Sequence, residues 1–556
     1  MFSKKVREIL NWTHYRVFYF VFYCGYIPFL LYFPLYLKHI GLNAFQVGII
    51  SGVRPLFQGL ATPLLISISD RLNSRKILFI CSSVIAILKI LGLFLFLRPS
   101  KQRCVMNSVK YTNNTRIQVK RSYVIEHKLS KRAVMLRWPM DTWQSGNLAA
   151  RTGEDRKDNY LVKTLQSMAF KNRDTRNFLH SAENKRGNKT FSVEHNLVIT
   201  NSSIANATTR DVVEYTVSND EEEVAILFYS ALIVALISDM FDAALFTLVD
   251  HSCLKNKGQN YGVTRLSGTI GWGLMSPIVA IVIHENQREV CGKMTDAYHY
   301  IFIFALVLSN ISLLVGSHLT LDGNFANYKI KKIGSPRSNF QYGILLMIFS
   351  FTGFCNGFLL SFVNWFIDSL GGNAIIMGLA TWCKSVTDVL LFFLLRKLVE
   401  FAGFSSIISI GLVGHIAVFV VYYLVSNPWI VIAIEVFHAL FYGFLVSTCS
   451  YILDLYIPAG ADFQLQTVLH GVYWGIGSGL GAFLSGLHIY HKGFKETFIT
   501  FTWLTTSVAF LYVTVELFTL ITDMKIDLND EKTDPPSTGS DADVSSEGGS
   551  SEIGED

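Results

Sequence analysis

Two pairs of ionisable residues, each three apart inside an apolar run, are where this chain could do chemistry: Asp239 with Asp242, and Glu435 with His438. Residues three apart share one helix face, so each pair aims two titratable groups in one direction. The two stretches also align, Asp239-Met240-Phe241-Asp242-Ala243 with Glu435-Val436-Phe437-His438-Ala439. Arg54 lies in a third apolar run, and Lys384 and Asp388 lie four apart in a fourth, a spacing at which they can pair with each other. A charge at mid-bilayer costs about 2.5–3.5 kcal/mol on insertion scales, so several of them imply a cavity or mutual pairing. Two readings stay open for Arg54 with Asp239 or Asp242: a structural ion pair between helices, or a group that handles solute or protons. Asp239, Asp242 and Glu435 are the candidates for exchanging a proton as a cation partner comes and goes. His415, His470, Lys89 and Glu516 stand alone in their runs and read as packing or surface groups.

The elements that must position these residues follow from composition. The chain is 51% hydrophobic and 16% charged, well below the ~25% charged residues of soluble domains. Twelve apolar runs reach the ~20 residues a membrane crossing needs, at 15–38, 45–68, 77–97, 224–248, 265–284, 299–320, 342–366, 374–396, 405–425, 429–453, 466–490 and 497–522. With no water at mid-bilayer, each must be an α-helix that satisfies its own backbone. The fold class is therefore all-α and membrane-spanning. The first run is too long and aromatic for a cleaved signal peptide.

An internal echo divides the twelve into two sets of six. Gly41-Leu42-Asn43-Ala44-Phe45-Gln46-Val47-Gly48 reappears as Gly371-Gly372-Asn373-Ala374-Ile375-Ile376-Met377-Gly378, and the same offset carries Arg54 onto Lys384. Two related six-helix halves are the sign of a secondary transporter, whose solute site lies where the repeats meet. Basic residues after the even-numbered helices (Arg71, Arg75 and Lys76; Lys255 and Lys257; Lys329, Lys331, Lys332 and Arg337; Arg396 and Lys397) fall on the side of the N-terminus, which places both termini in the cytoplasm. The formal charge of +6 reflects that bias and gives no sign of a nucleic-acid partner.

The expected organisation is helices 1–3 in 1–98, a long outer segment 99–223, helices 4–6 in 224–320, a basic linker 321–341, helices 7–12 in 342–523 and an acidic tail 524–556. The outer segment is polar, reads as mostly disordered, and carries four glycosylation acceptors at Asn113, Asn188, Asn201 and Asn206. Cys104 and Cys291 are the two cysteines assigned outside and are candidates for a disulfide, with two free thiols as the alternative. The remaining cysteines read mainly as packing residues.

Asp70-Arg71-Leu72-Asn73-Ser74-Arg75-Lys76 follows helix 2. An acid with basic neighbours at a cytoplasmic corner can pair with adjoining helix ends and gate a rocking motion; the plain alternative is a positive-inside anchor. The offset places Glu400 opposite Asp70 and Gly403 opposite Asn73. Tyr261-Gly262-Val263-Thr264-Arg265-Leu266-Ser267-Gly268 opens helix 5 and pairs with His470-Gly471-Val472-Tyr473-Trp474-Gly475-Ile476-Gly477 in helix 11; glycines at this spacing let helices approach closely. Arg265, near a helix end, reads as a snorkelling residue.

On these residues the chain resembles the major facilitator superfamily. Ile66 and Asn73 depart from that family, standing where its motif after helix 2 commonly has glycines. The run Tyr261-Gly262, Arg265, Gly268 and Gly271-Trp272, with Asn427-Pro428-Trp429, Glu435 and the glycine-rich helix 11, resembles the branch first described as macrophage MHC class I receptor homologues, which also carries a long polar loop after helix 3. The resemblance implies two pseudo-symmetric six-helix bundles, alternating access for a small-molecule solute, and a loose relation to sugar–proton and nucleoside–proton symporters. Arg54, Asp239, Asp242, Lys384, Asp388, Glu435 and His438 would then line or gate the cavity or couple protons, with Asp70, Arg71, Arg75 and Lys76 as the gating motif. A cell-surface receptor that keeps the fold and presents the outer segment to a protein ligand is the alternative. No nucleophile constellation, metal-ligand spacing or phosphate-binding loop is present, so nothing in the sequence points to an enzyme, a metal or a cofactor. The plasma membrane and an endomembrane both remain open as the location.

Overall fold

Helix and turn chemistry explain the echo. α1 (Phe2–His39) ends at Gly41, whose φ of 104° is one that side-chain-bearing residues rarely adopt, and α7 (Pro336–Ser369) ends at Gly371 with φ 80°. The following asparagine then caps the next helix. Asn43 Oδ1 accepts from Gln46 N at 2.9 Å to start α2 (Ala44–Arg71), and Asn373 Oδ1 accepts from Ile376 N at 3.2 Å to start α8 (Ala374–Ala402). Gln46 completes a capping box on Asn43, which Ile376 cannot do on Asn373. The repeated glycine and asparagine are thus one reversing turn used twice.

The computed structural model describes residues 2–97, 101–112, 115–128, 209–218, 221–257, 261–290, 293–321, 336–455 and 470–533. Its other helices are α3 (Arg75–Phe96), α4 (Glu221–Lys257), α5 (Tyr261–Glu285), α6 (Tyr300–Gly316), α9 (Phe404–Leu424) and α10 (Ile430–Leu455). His470–Ser478 is wound as a π-helix and runs into Gly479–Thr533, which breaks at Gly493 (φ 82°, ψ 177°) into α11 (470–492) and α12 (494–533). Among the described residues ten helices are long and apolar enough to cross a membrane, the last spanning both sides of that break, and Tyr300–Gly316 is a shorter apolar helix. The twelve apolar runs read from hydropathy fit these helices. The exposed Leu60, Leu64, Phe510 and Phe518 face outward, as lipid contact requires.

Packing repeats with the sequence. In the first half α1 packs on α5 and α6, α2 on α4, and α3 on α4 and α6; in the second, α7 packs on α11 and α12, α8 on α10, and α9 on α10 and α12. The halves meet through α2 with α11 and α5 with α8, again a symmetric pair, and through α1 with α7. Small residues make these seams close. A Cβ on Gly52 would lie 2.6 Å from Gly479 O, and one on Gly378 would lie 2.5 Å from Ala280 Cβ.

The segment 99–223 holds strands at both ends, which its overall polar composition did not single out. Its two ends form a three-stranded antiparallel sheet, β2 (Thr115–Lys128), β1 (Lys101–Thr112) and β3 (Thr209–Ser218) in that order, with Val105 opposite Val124 and Thr216. β-Branched residues cluster there, at Val105, Val109, Ile117, Val119, Val212, Val213 and Val217, and favour strand over the disorder read from the segment's overall composition. A short hairpin, β4 (Arg288–Val290) and β5 (Lys293–Thr295), joins α5 to α6. The glycosylation acceptors Asn113, Asn188, Asn201 and Asn206 lie outside the described residues, and so does the Cys104–Cys291 pairing, since Cys291 is not among them.

Candidate functional site

Each half holds a buried charge cluster at its α2/α8, α3/α9 and α4/α10 contacts. In the first half Arg54 Nε of α2 is bonded to Asp239 Oδ2 of α4, and Arg54 Nη2 lies 3.4 Å from Asp239 Oδ1. Lys89 of α3 donates to Asp239 Oδ1 at 2.8 Å and also bonds Asp242 Oδ2. Asp242 Oδ1 has no hydrogen-bond partner among the described residues. Lys89, read as a lone packing group, is thus the cation that joins both aspartates; the linear pattern could not show that α3 lies against α4. A pocket of about 20 Å³, room for about one water, adjoins Lys89 and Asp242, and Tyr26 forms part of its wall.

In the second half Lys384 Nζ of α8 sits 3.3 Å from Glu435 Oε2 and 3.2 Å from His438 Nδ1, both of α10. The Tyr422 hydroxyl of α9 donates to Glu435 Oε1, and the His415 ring lies 5.6 Å from that of His438. The expected Lys384–Asp388 pair is not made: Lys384 reaches across to α10, and Asp388 has no ion pair among the described residues. His415, read as a lone group, belongs to this cluster through its ring contact.

A third cluster escaped the sequence reading. Asp250 of α4 accepts from the Tyr19 hydroxyl of α1 at 2.6 Å and lies 3.5 Å from Arg265 Nη1 of α5, which also donates to Tyr261 at 3.0 Å. Arg265 is therefore paired within the bundle and is no simple snorkelling residue. Asp239, Asp242, Phe246 and Asp250 recur at helical spacing, and that stripe was the available signal.

Between the halves lies a cavity of about 140 Å³ walled by α1, α2, α4, α5, α7 and α11. It adjoins a second chamber of about 470 Å³ that extends toward the start of α5 and the end of α10. Tyr23, Arg265 and Trp474 line both chambers. Of the residues expected at the site only Arg54 borders them; Asp239, Asp242, Lys384, Asp388, Glu435 and His438 stand behind the walls.

The opposite face, where α1 ends and α2 begins, is closed by bonds between the halves. Lys38 pairs with Asp368 and sits 5.2 Å over the Trp365 ring. Asn364 Nδ2 donates to Leu31 O at 3.0 Å, and the Tyr32 hydroxyl to Ala374 O at 3.4 Å. Asp296, before α6, accepts from Ala374 N at 3.0 Å and so places an acid at the N-terminus of α8. The Tyr298 hydroxyl donates to the same carboxylate at 3.2 Å, and burial beside Asp296 pushes this phenol well above its ordinary range, which keeps it a donor. At the other face Arg75 Nε donates to Asp70 Oδ1 at 2.5 Å, while Arg71 and Lys76 are exposed. Asn73, where the related motif has glycine, adopts φ 48°, and its counterpart Gly403 has φ 77°. Asparagine tolerates this region better than most residues, so the departure leaves the turn intact.

The profile of the MFS_1 like family matches residues 12–500. Major facilitator superfamily domain-containing protein 6-like proteins B and A of Xenopus laevis are each 22% identical to this chain over 272 residues. Those matches cover 47% of the chain and 44% of the relatives, so they span less than half the length of the proteins they match. Among solved structures, the nucleoside transporter NupG superposes with a TM-score of 0.54 at 12% identity, covering 91% of this chain and 98% of the other. A bacterial homolog to the human lysosomal transporter Spinster, in an inward-facing and occupied conformation, gives 0.52 at 9% identity, covering 91% and 96%. At such identities these two likenesses speak to fold.

Proposed function

This chain belongs to the MFS_1 like family, and from that premise we propose that it is a secondary-active transporter of a small-molecule solute that works by alternating access. The observation that carries the reading is the place of the cavity: where the two repeats meet, with bonds between the halves across one face and a chamber extending toward the other. Breaking the Lys38, Asp296 and Asn364 contacts while bringing the opposite helix ends together would expose the same cavity to the other side. The Asp70–Arg75 pair joins α2 to α3 at the face that must then close. With the termini in the cytoplasm, the Lys38–Asp368 face is the outer one.

Proton coupling is part of the proposal. Arg54 links the cavity to Asp239, and Lys89 links Asp239 to Asp242, so a solute that displaces Arg54 loosens a chain of groups that can pick up a proton. Glu435, His438, Lys384 and Asp388 hold the equivalent place in the other half. Reconstitution in proteoliposomes with a pH-sensitive dye, against mixed sugars, nucleosides, amino acids and organic acids, tests this beside Asp239→Asn and Asp242→Asn. Solute-driven proton movement in the parent, lost in either variant, is the expected result. Solute uptake that moves no protons ends the coupling proposal.

The sheet formed by β1, β2 and β3 supports a second reading, in which the outer segment presents a surface to a protein ligand. Deleting 129–208 separates the two: transport survives the deletion, and ligand binding does not.

A further inference from the structure

Among the described residues lining the two chambers, the charged side chains are Arg54 and Arg265; no carboxylate, lysine or histidine joins them. Their acid partners stand behind, with Asp239 fully buried and the Asp250 side chain 3% exposed. A solute entering this space therefore meets cationic edges. The two arginines differ in what they have left to offer. Arg54 gives Nε and Nη2 to Asp239, and its side chain is 8% exposed. Arg265 directs Nη1 at both Tyr261 and Asp250 and keeps 34% of its side chain exposed. Its Nε and Nη2 have no partner among the described residues. That edge of a guanidinium presents two parallel donors, a match for the two oxygens of a carboxylate or phosphate.

Aromatic rings surround the same point. Tyr23 and Trp474 line both chambers beside Arg265, and Tyr26 and Phe246 continue the wall inward. Trp474 occupies in the second half the repeat position that Arg265 occupies in the first, since aligning Gly262 with Gly471 brings Arg265 onto Trp474. Two symmetry-related positions thus line one junction, one a cation and the other a flat apolar ring. We propose that this junction binds an aromatic solute bearing one anionic group, the anion held by Arg265 and the ring by Trp474 and Tyr23. The assignment rests on the transporter reading for delivery of the solute, while binding itself needs no transport.

The test uses the purified full chain in detergent and reads ligand-induced thermal stabilisation. Indole-3-acetate, benzoate and phenyl phosphate are the anionic probes; indole-3-acetamide and tryptamine carry the same indole ring with a neutral and a cationic end. At least one anion is expected to raise the melting temperature, with the amide weaker and tryptamine inert; the ranking of the anions separates carboxylate from phosphate. Arg265→Gln weakens the anion about tenfold or more, the scale of one charged hydrogen-bonded contact, and Trp474→Ala weakens every ring-bearing anion. The proposal is overturned if tryptamine stabilises as well as indole-3-acetate, if Arg265→Gln binds the anion as tightly as the parent, or if none of the three anions binds. Should Arg265→Gln fail to fold, Arg265→Lys decides, because it keeps the charge and loses the fork; undiminished carboxylate affinity there also overturns the assignment. Uptake of labelled indole-3-acetate into proteoliposomes separates the two claims: an anion that binds through Arg265 yet is never taken up ends the transport reading and leaves the site.

Discussion

The two buried clusters occupy equivalent places in the two halves and solve the same problem with different chemistry. In the first, two cations meet two carboxylates, and Asp239 takes contacts from both Arg54 and Lys89 with no exposure at all. In the second, one lysine serves Glu435 while Asp388 makes no pair among the described residues, and two histidines and Tyr422 fill the remaining space. The offset of the echo takes Lys89 onto Phe419, so the second cation of the first half has become a ring. A lattice balanced in formal charge is costly to open, because each member removed strands another in low dielectric. A cluster that leans on hydrogen bonds and ring contacts has more ways to rearrange. The difference makes the first cluster the costlier of the two to open.

The largest expected effect breaks the lattice. Asp239→Ala strands Arg54, leaves Lys89 with Asp242 alone and should cost about 3–5 kcal/mol, read as loss of monodisperse protein or a fall in melting temperature. Glu435→Ala should cost clearly less, since Lys384 is 13% exposed and Asp388 is four residues away on the same helix. Equal losses would sink the contrast. Next come the seams between halves. Gly52→Ala and Gly378→Ala each insert a methyl against the other half and should cost about 1–3 kcal/mol, opening the Lys38 face to a thiol reagent at Ser361→Cys.

Smaller effects sharpen the picture. Lys38→Asp should favour the open face by about 1 kcal/mol or less, because both partners are about a quarter exposed, and Lys38→Asp with Asp368→Lys should restore closure. A double variant that stays open would show that the Trp365 contact, and not the ion pair, holds this end. The caps give the finest comparison. Asn43→Ala should cost about 1 kcal/mol and Asn373→Ala less, because Asp296 already serves the first turn of α8. Melting of the two variants side by side checks the order.

What the sequence disclosed and withheld divides along one physical line. Helices, turns and the symmetry of the halves depend on periodicity, capping and hydropathy, which are local, and the long apolar helices and the Gly41/Gly371 turns followed from them. Arg54, Asp239 and Asp242 were recognisable because ionisable groups in an apolar run are costly wherever they sit. Who bonds to whom is a property of helix packing. Lys89 seemed solitary until α3 was laid on α4, and Lys384 seemed destined for Asp388 until α10 brought Glu435 closer. Asp250 had a signal in the spacing of its stripe, but its partners Tyr19 and Arg265 come from two other helices. The strands at the ends of 99–223 were hidden by averaging, since the β-branched residues at 101–119 and 209–218 are diluted over the whole segment.

Lys38 and Asp368 are separated by 330 residues, the interval that relates the two halves, so each is the other's counterpart across the pseudo-two-fold axis. A position on such an axis meets itself. Had the halves stayed identical, lysine would face lysine or aspartate would face aspartate, and that end would be held apart by repulsion. The attraction found here is available only to a chain whose copies have drifted to opposite signs at one site. The fastening of this face is therefore a record of asymmetry: the bond exists because the two halves no longer carry the same residue at this site.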